Sequence, residues 1–254
     1  MKFAFLIMPW ACLLISGCKA REEKPINDSL EIPVLNKQVT PSSKRSREAI
    51  LRAGPGLIED LEQKTLEFGA PVFIRIFKEE RQLELWVKGK ERYVIFRSYK
   101  IAAMSGTLGP KQKEGDRQAV EGFYFVPPGM MNPNSRFHLS FNLGYPNAYD
   151  RAHHRTGSAL MVHGDRVSIG CFAMTDPKIE EIYTLCDAAL RNGQLGFAVH
   201  CFPFRMTEAN MEKHSASKWI PFWRNLKTGH DWFERMGNPP KVQVKDKRYL
   251  FKAD

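Results

Sequence analysis

A mainly β body with one helix near its end is the fold class this sequence predicts. Three observations lead there. Apolar residues recur with a period of two along seven short runs between residues 72 and 202. Turns bearing Gly and Pro separate the runs. Only the stretch between the last two runs carries helical apolar spacing over any length. Together these point to a β body of roughly 130 residues.

The elements follow in order. Residues 1–17, MKFAFLIMPWACLLISG, place one Lys ahead of an apolar run from Phe3 to Ile15. That is the length of a signal-peptide core and too short to span a bilayer. Leu14-Ile15-Ser16-Gly17-Cys18 is similar to a bacterial lipobox, which implies lipidation of Cys18; an ordinary secretory signal with a chance cysteine is the other reading. Lys19 stands where an inner-membrane retention signal carries Asp, so the implied place is periplasmic, lipid-anchored to the outer membrane. Residues 18–47 are polar, with Pro25, Pro33 and Pro41, and read as a flexible tether. Residues 48–70 form a helical lead-in, with Leu57, Ile58, Leu61, Leu66 and Phe68 on one stripe and Gly69 as its cap.

From there the period changes. VFIRIF (72–77), LELWV (83–87), RYVIFRSYKIA (92–102), GFYFV (122–126), FHLSFNL (137–143), ALMVH (159–163) and LGFAVHCF (195–202) read as strands. Before the last strand comes a helix with Asp176 as N-cap, Pro177 at its first position and Gly193 past its end. The tail, residues 203–254, mixes Trp219, Phe222, Trp223, Trp232 and Phe233 with Lys and His, and reads as short helices packed on the body.

The net charge of +10 and pI near 9.4 fit an anionic polymer or membrane surface. No block of like charges and no base-reading motif accompanies them, so no nucleic-acid partner is expected. Beyond the leader three cysteines remain, Cys171, Cys186 and Cys201. An odd number in an oxidising compartment leaves at least one thiol unpaired. Cys186 and Cys201 read equally as a disulfide or as buried thiols.

His163 and Cys171 carry the chemistry. His163 ends an apolar strand and precedes Gly164; Cys171 follows Ser168 and Gly170. A thiol gains nucleophilicity when a base takes its proton, and backbone N–H groups near such a glycine can face a developing oxyanion. Taken alone, the pair is equally a buried Cys and a satisfied strand-end His. A metal reading would use His163, Cys171, Cys186, His200 and Cys201, but no C-x₂₋₄-C or H-x₃₋₅-H spacing supports it, so no metal and no organic cofactor is expected.

HG…S-x-G-C, with VEGFYFV (120–126) and NPNSRFHLSFNLGYPNAYDRAHHRTGSALMVHG (132–164), resembles the YkuD-type L,D-transpeptidases, most closely their YafK-like branch, across 71–202. The resemblance implies a β-sandwich-like L,D-transpeptidase catalytic domain. It makes Cys171 the nucleophile and His163 its general base, with Gly164, Ser168 and Gly170 as supporting or oxyanion residues. Two departures stand out. Ile169 replaces a second His, and Ala173 replaces an Arg or Asn associated with the substrate carboxylate. Arg166, Arg155 and His154 are then candidates for substrate binding, with Arg151, Arg136 and Lys111 as further cations and His138 and His153 as possible cleft residues.

The implied reaction is acyl transfer on peptidoglycan stem peptides through a thioester at their third residue. The acceptor is an amine of another stem or of a wall-attached lipoprotein. With water as acceptor the same site is an L,D-carboxypeptidase or an amidase releasing such a lipoprotein. A non-catalytic wall-binding lipoprotein is the remaining alternative.

Overall fold

The computed structural model describes Met1 and residues 32–253. The expected signal peptide, Cys18 and the first part of the tether lie outside the described residues. Within the described residues of the expected tether, 32–47, the chain is fastened to the body. The Thr40 hydroxyl donates to the Asp187 carboxylate (2.5 Å), and the Gln38 N–H to the Arg191 carbonyl (3.1 Å). Composition misled here, because a few polar residues with buried partners suffice to fasten a polar segment.

Helix α1 (Lys44–Gln63) starts behind Ser43, whose hydroxyl accepts the Ser46 N–H. Leu57, Ile58 and Leu61 are buried as their spacing predicts. The helix stops at Gln63, so Leu66 and Phe68 lie beyond it. Gly69 (φ +87°) sits in the following turn, and Lys64 is the cap.

All seven expected strands are present, with four short ones besides. A five-stranded sheet has the order β3-β2-β1-β9-β4, formed by β1 (Val72–Phe77), β2 (Gln82–Lys88), β3 (Tyr93–Lys100), β4 (Gly122–Val126) and β9 (Phe197–Phe202). Strand β9 lies parallel to β1, and its other pairing, with β4, is antiparallel. A four-stranded sheet runs β5 (Met131–Asn132), β6 (Ser140–Asn142), β7 (Met161–His163) and β8 (Phe172–Ala173). Strands β5 and β8 have two residues each, too few for any periodicity to show.

Two apolar cores flank the larger sheet. Ile74, Ile76, Tyr124 and Val199 turn inward with Phe141, Val162 and Phe172 of the smaller sheet and with helix α3 (Asp176–Arg191). Thr175 caps α3, so Asp176 and Pro177 are its first residues rather than its cap and first position. On the outer face Phe77, Phe123 and Phe202 meet Trp223 and Tyr249. That second core is supplied by the tail. A short α2 (Ala148–Ala152) precedes the smaller sheet's third strand, and α4 (Glu208–Lys213) and α5 (Ile220–Met236) follow β9. The chain ends in a hairpin, β10 (Lys241–Lys245) and β11 (Arg248–Lys252), where short helices were expected. The alternation KVQVK-DK-RYLFK carries the hairpin, with Asp246 and Lys247 both at positive φ in its two-residue turn. Among the described residues no helix is long and apolar enough to cross a membrane.

Candidate active site

His163 is the last residue of β7, opposite Ser140 on one side and Ala173 on the other. Strand pairing on both sides fixes its backbone, and the Phe137 ring lies against the imidazole at 4.6 Å. Its Nδ1 stands 2.6 Å from the Gly164 carbonyl oxygen. A carbonyl only accepts, so Nδ1 carries the proton and Nε2 is left with its lone pair. Burial pushes the imidazole below the ordinary histidine range, against the opposing pull of the Gly164 carbonyl and Asp165. The side chain is thus a neutral, acceptor-ready base.

Parallel pairing of β7 with β8 brings Cys171 to the same neighbourhood. Ala173 faces His163, and Cys171 lies two residues earlier, beside Met161. One pleat repeat, about 7 Å along the strand, separates the two positions. The Met161 N–H donates to the thiol sulfur, and the thiol donates to the Ala159 carbonyl (Sγ···O 3.6 Å) rather than to His163. Burial raises the thiol pKa, while the Met161 N–H and the charge of Lys111 work the other way. The resting pair is therefore neutral thiol and neutral imidazole, not a preformed thiolate.

The intervening loop is tied to the start of α3. Asp165 N–H donates to Asp176 Oδ1 (2.8 Å), Thr175 N–H to the Asp165 carbonyl (2.9 Å) and Met174 N–H to the His163 carbonyl (2.8 Å). Thr175 itself sits at φ 81°, ψ 155°, a region that β-branched residues avoid. The glycines have structural duties here. A Cβ on Gly164 would lie 2.5 Å from Asp176 Oδ1 and 2.7 Å from the Phe137 carbonyl oxygen. The Gly164 N–H goes to the Phe137 and Leu139 carbonyls, and the Gly170 N–H to the Ser168 hydroxyl (3.1 Å). Ser168 in turn donates to the Cys171 carbonyl (2.7 Å). The Gly164 and Gly170 N–H groups and the Ser168 hydroxyl are thus engaged within the turn that these three residues shape. Gly170 adopts φ +134°, which few other residues could.

The expected substrate cations divide. Arg155 is buried, bonded to Asp150 (2.8 Å) and stacked over Tyr149 and Phe222, so it is a core ion pair and not a clamp. His153 bonds the Lys247 carbonyl (3.0 Å), and His138 bonds Glu180 (2.7 Å); both fasten neighbouring elements. Arg151 is exposed with one N–H on the Pro146 carbonyl. Arg166, Arg136 and His154 are exposed and make no ion pair among the described residues. Ile169, at the missing histidine's position, is 77% exposed, whereas Ala173 is buried with its N–H on the Ala103 carbonyl (2.9 Å). Cys186 and Cys201 are separate buried thiols.

The cation whose charge acts on the thiol is Lys111. It is held in a loop, residues 105–119, that the strand alternation left undescribed. Its ammonium donates to Asp116 Oδ1 (2.6 Å) and the Lys113 carbonyl (2.9 Å). Burial works against ionisation of Asp116. Even so, the Lys111 ammonium and the N–H groups of Lys113, Gln112 and Gln118 hold its carboxylate down to about 2. The run GPKQKEGD, with Asp116 directly after a Gly, was the available signal for such a self-bonded loop.

Residues 71–201 match the family model of YkuD, the L,D-transpeptidase catalytic domain. Over 189 residues the chain is 50% identical to the provisionally named L,D-transpeptidase YafK of Escherichia coli (strain K12), covering 74% of this chain and 77% of that one. The same figures hold for the counterpart in Escherichia coli O157:H7. Among solved structures, the helical cell shape determining protein Pgp2 from Campylobacter jejuni matches at 17% identity and TM-score 0.42, over 75% of this chain and 80% of that one. Bd1075 of Bdellovibrio bacteriovorus matches at 19% and 0.39, over 73% and 78%. Likenesses at that level carry no argument about function.

Proposed function

The chain belongs to the YkuD family of L,D-transpeptidase catalytic domains, and on that premise we propose that it modifies peptidoglycan by acyl transfer through Cys171. As the Cys171 sulfur attacks the carbonyl carbon of the third stem-peptide residue, His163 Nε2 takes the thiol proton. The backbone N–H of Cys171 is the proposed donor to the oxyanion. Collapse expels the terminal D-Ala, whose amine recovers the proton from the imidazolium, and leaves a thioester. An amine of a second stem or of a wall-attached lipoprotein then accepts the acyl group and gives its proton to His163.

One observation carries this reading: the Gly164 carbonyl sets the tautomer of an imidazole at the end of β7, and Cys171 directly precedes β8, the strand paired parallel to β7. Because both groups are neutral at rest, the proton moves during attack, as general-base catalysis requires. Lys111 supports the sulfur as negative charge develops on it. The lipobox-like leader, Leu14 to Cys18, supports a periplasmic location with a lipid anchor at Cys18 in the outer membrane as part of this reading.

Water as acceptor is the second reading. It is favoured by the exposure of Val167 and Ile169 in the loop just before Cys171. Incubating the protein with disaccharide tetrapeptides, with and without a wall-bound lipoprotein, separates the two by mass spectrometry. Crosslinked or lipoprotein-bearing products are expected from the wild type and none from Cys171→Ala. Products of water addition alone would assign a hydrolase. Turnover by Cys171→Ala would overturn both readings.

A further inference from the structure

Away from Cys171, a cavity of about 780 Å³ opens between β4, β9 and the C-terminal hairpin. At its floor is His200, 1% exposed, set edge-on to Phe73 and Phe123 at 4.6 Å each. Its Nδ1 is fully buried without a hydrogen-bond partner, and no described residue bonds the other ring nitrogen. Burial holds this imidazole well below the ordinary range, so it is neutral, with one donor and one acceptor unmet. The other polar groups of the cavity are committed. Asn147 donates to the Phe123 carbonyl and the Tyr249 hydroxyl, and Gln194 bonds both backbone groups of Val72. At the mouth stand two exposed apolar side chains, Phe125 and Leu195, and the guanidinium of Arg151.

We propose that this cavity binds an N-acetylhexosamine unit of the wall glycan. An acyl chain fits the aromatic walls but would seal the imidazole away with its hydrogen bonds unmade. A pyranose offers an apolar face to the exposed Phe125, and hydroxyls that both donate and accept, which suits a neutral imidazole in either tautomer. Arg151 at the rim pairs with the carboxylate of a lactyl or peptide substituent on the neighbouring sugar. The assignment rests on the peptidoglycan reading and adds to it a grip on the polymer separate from the reacting peptide.

The test uses chitotriose, a peptide-free N-acetylglucosamine oligomer, titrated into the Cys171→Ala chain and followed by NMR. Binding is expected, with His200→Phe and the exposed Phe125→Ala each weakening it about tenfold or more. In the Cys171 protein, Phe125→Ala should process a glycan-free tetrapeptide at the parental rate while its KM for the disaccharide tetrapeptide rises about tenfold. Absence of chitotriose binding, binding indifferent to both substitutions, or decanoate binding in its place would overturn the site. Chitotriose binding together with a tetrapeptide the wild type never processes would keep the site and sink the catalytic reading.

Discussion

Glu121 links the C-terminal extension to the loop beside the nucleophile, and Glu121→Gln tests that link. The side chain is 0% exposed, and its partner Lys78 is 1% exposed. One carboxylate oxygen accepts the Lys78 ammonium (2.9 Å) and the Gly109 N–H (2.7 Å); the other accepts the Trp223 indole N–H (2.8 Å). Every contact is to a donor, so an amide NH₂ in either orientation faces a donor, and Lys78 loses its counter-charge. Breaking a buried pair from one side costs about 3–5 kcal/mol. At about 2–4 °C per kcal/mol for a chain of this size, the Tm falls by about 6–20 °C. The same change loosens Gly109, whose carbonyl also holds Lys78 and Gln118 (2.7 and 2.6 Å). The Gln118 carbonyl in turn borders Gly170. Calorimetry on Glu121→Gln, with and without Lys78→Met, is the assay. The double variant should recover most of the loss, since no buried charge is then left unpaired. A Tm drop below about 2 °C, or a double variant no better than the single, would refute the reasoning.

Three further outcomes are expected. Activity should fall on acidification only below the ordinary histidine range, because burial depresses His163 and its imidazolium cannot take the thiol proton; an acid limb above pH 6.5 would contradict this. Alkylation of Cys171 should set in only above the ordinary thiol range, and Lys111→Met should move it higher still, as followed by iodoacetamide rates against pH. Gly164→Ala should cost about 1–3 kcal/mol in a denaturant melt and lower activity, because the added methyl meets Asp176 and a backbone oxygen beside His163. A neutral substitution there would show that the α3 tie can shift freely.

Much of this molecule was legible along the chain. VFIRIF and GFYFV are strands at their expected bounds, because their β-branched and aromatic residues suit a pleated sheet; VFIRIF is buried throughout and GFYFV everywhere but Phe125. The histidine and cysteine were legible as chemistry, each beside a glycine. The C-terminal hairpin was missed although its alternation was present, since the aromatic tail before it read as helical throughout.

The sequence by itself determined which residues can react and which stretches are strands, since both depend on side-chain type and local period. The tertiary structure alone decided what those residues do. Insertion of β9 between β1 and β4, and the parallel pairing of β7 with β8, place Cys171 near His163, Lys78 on Glu121 and His200 under an open cavity. It also withdrew Arg155 into the core and brought the charge of Lys111 to bear on the thiol. The physical reason is that these roles rest on partners far apart in the chain, Glu121 and Trp223 being 102 residues apart, and no local pattern specifies which strands become neighbours.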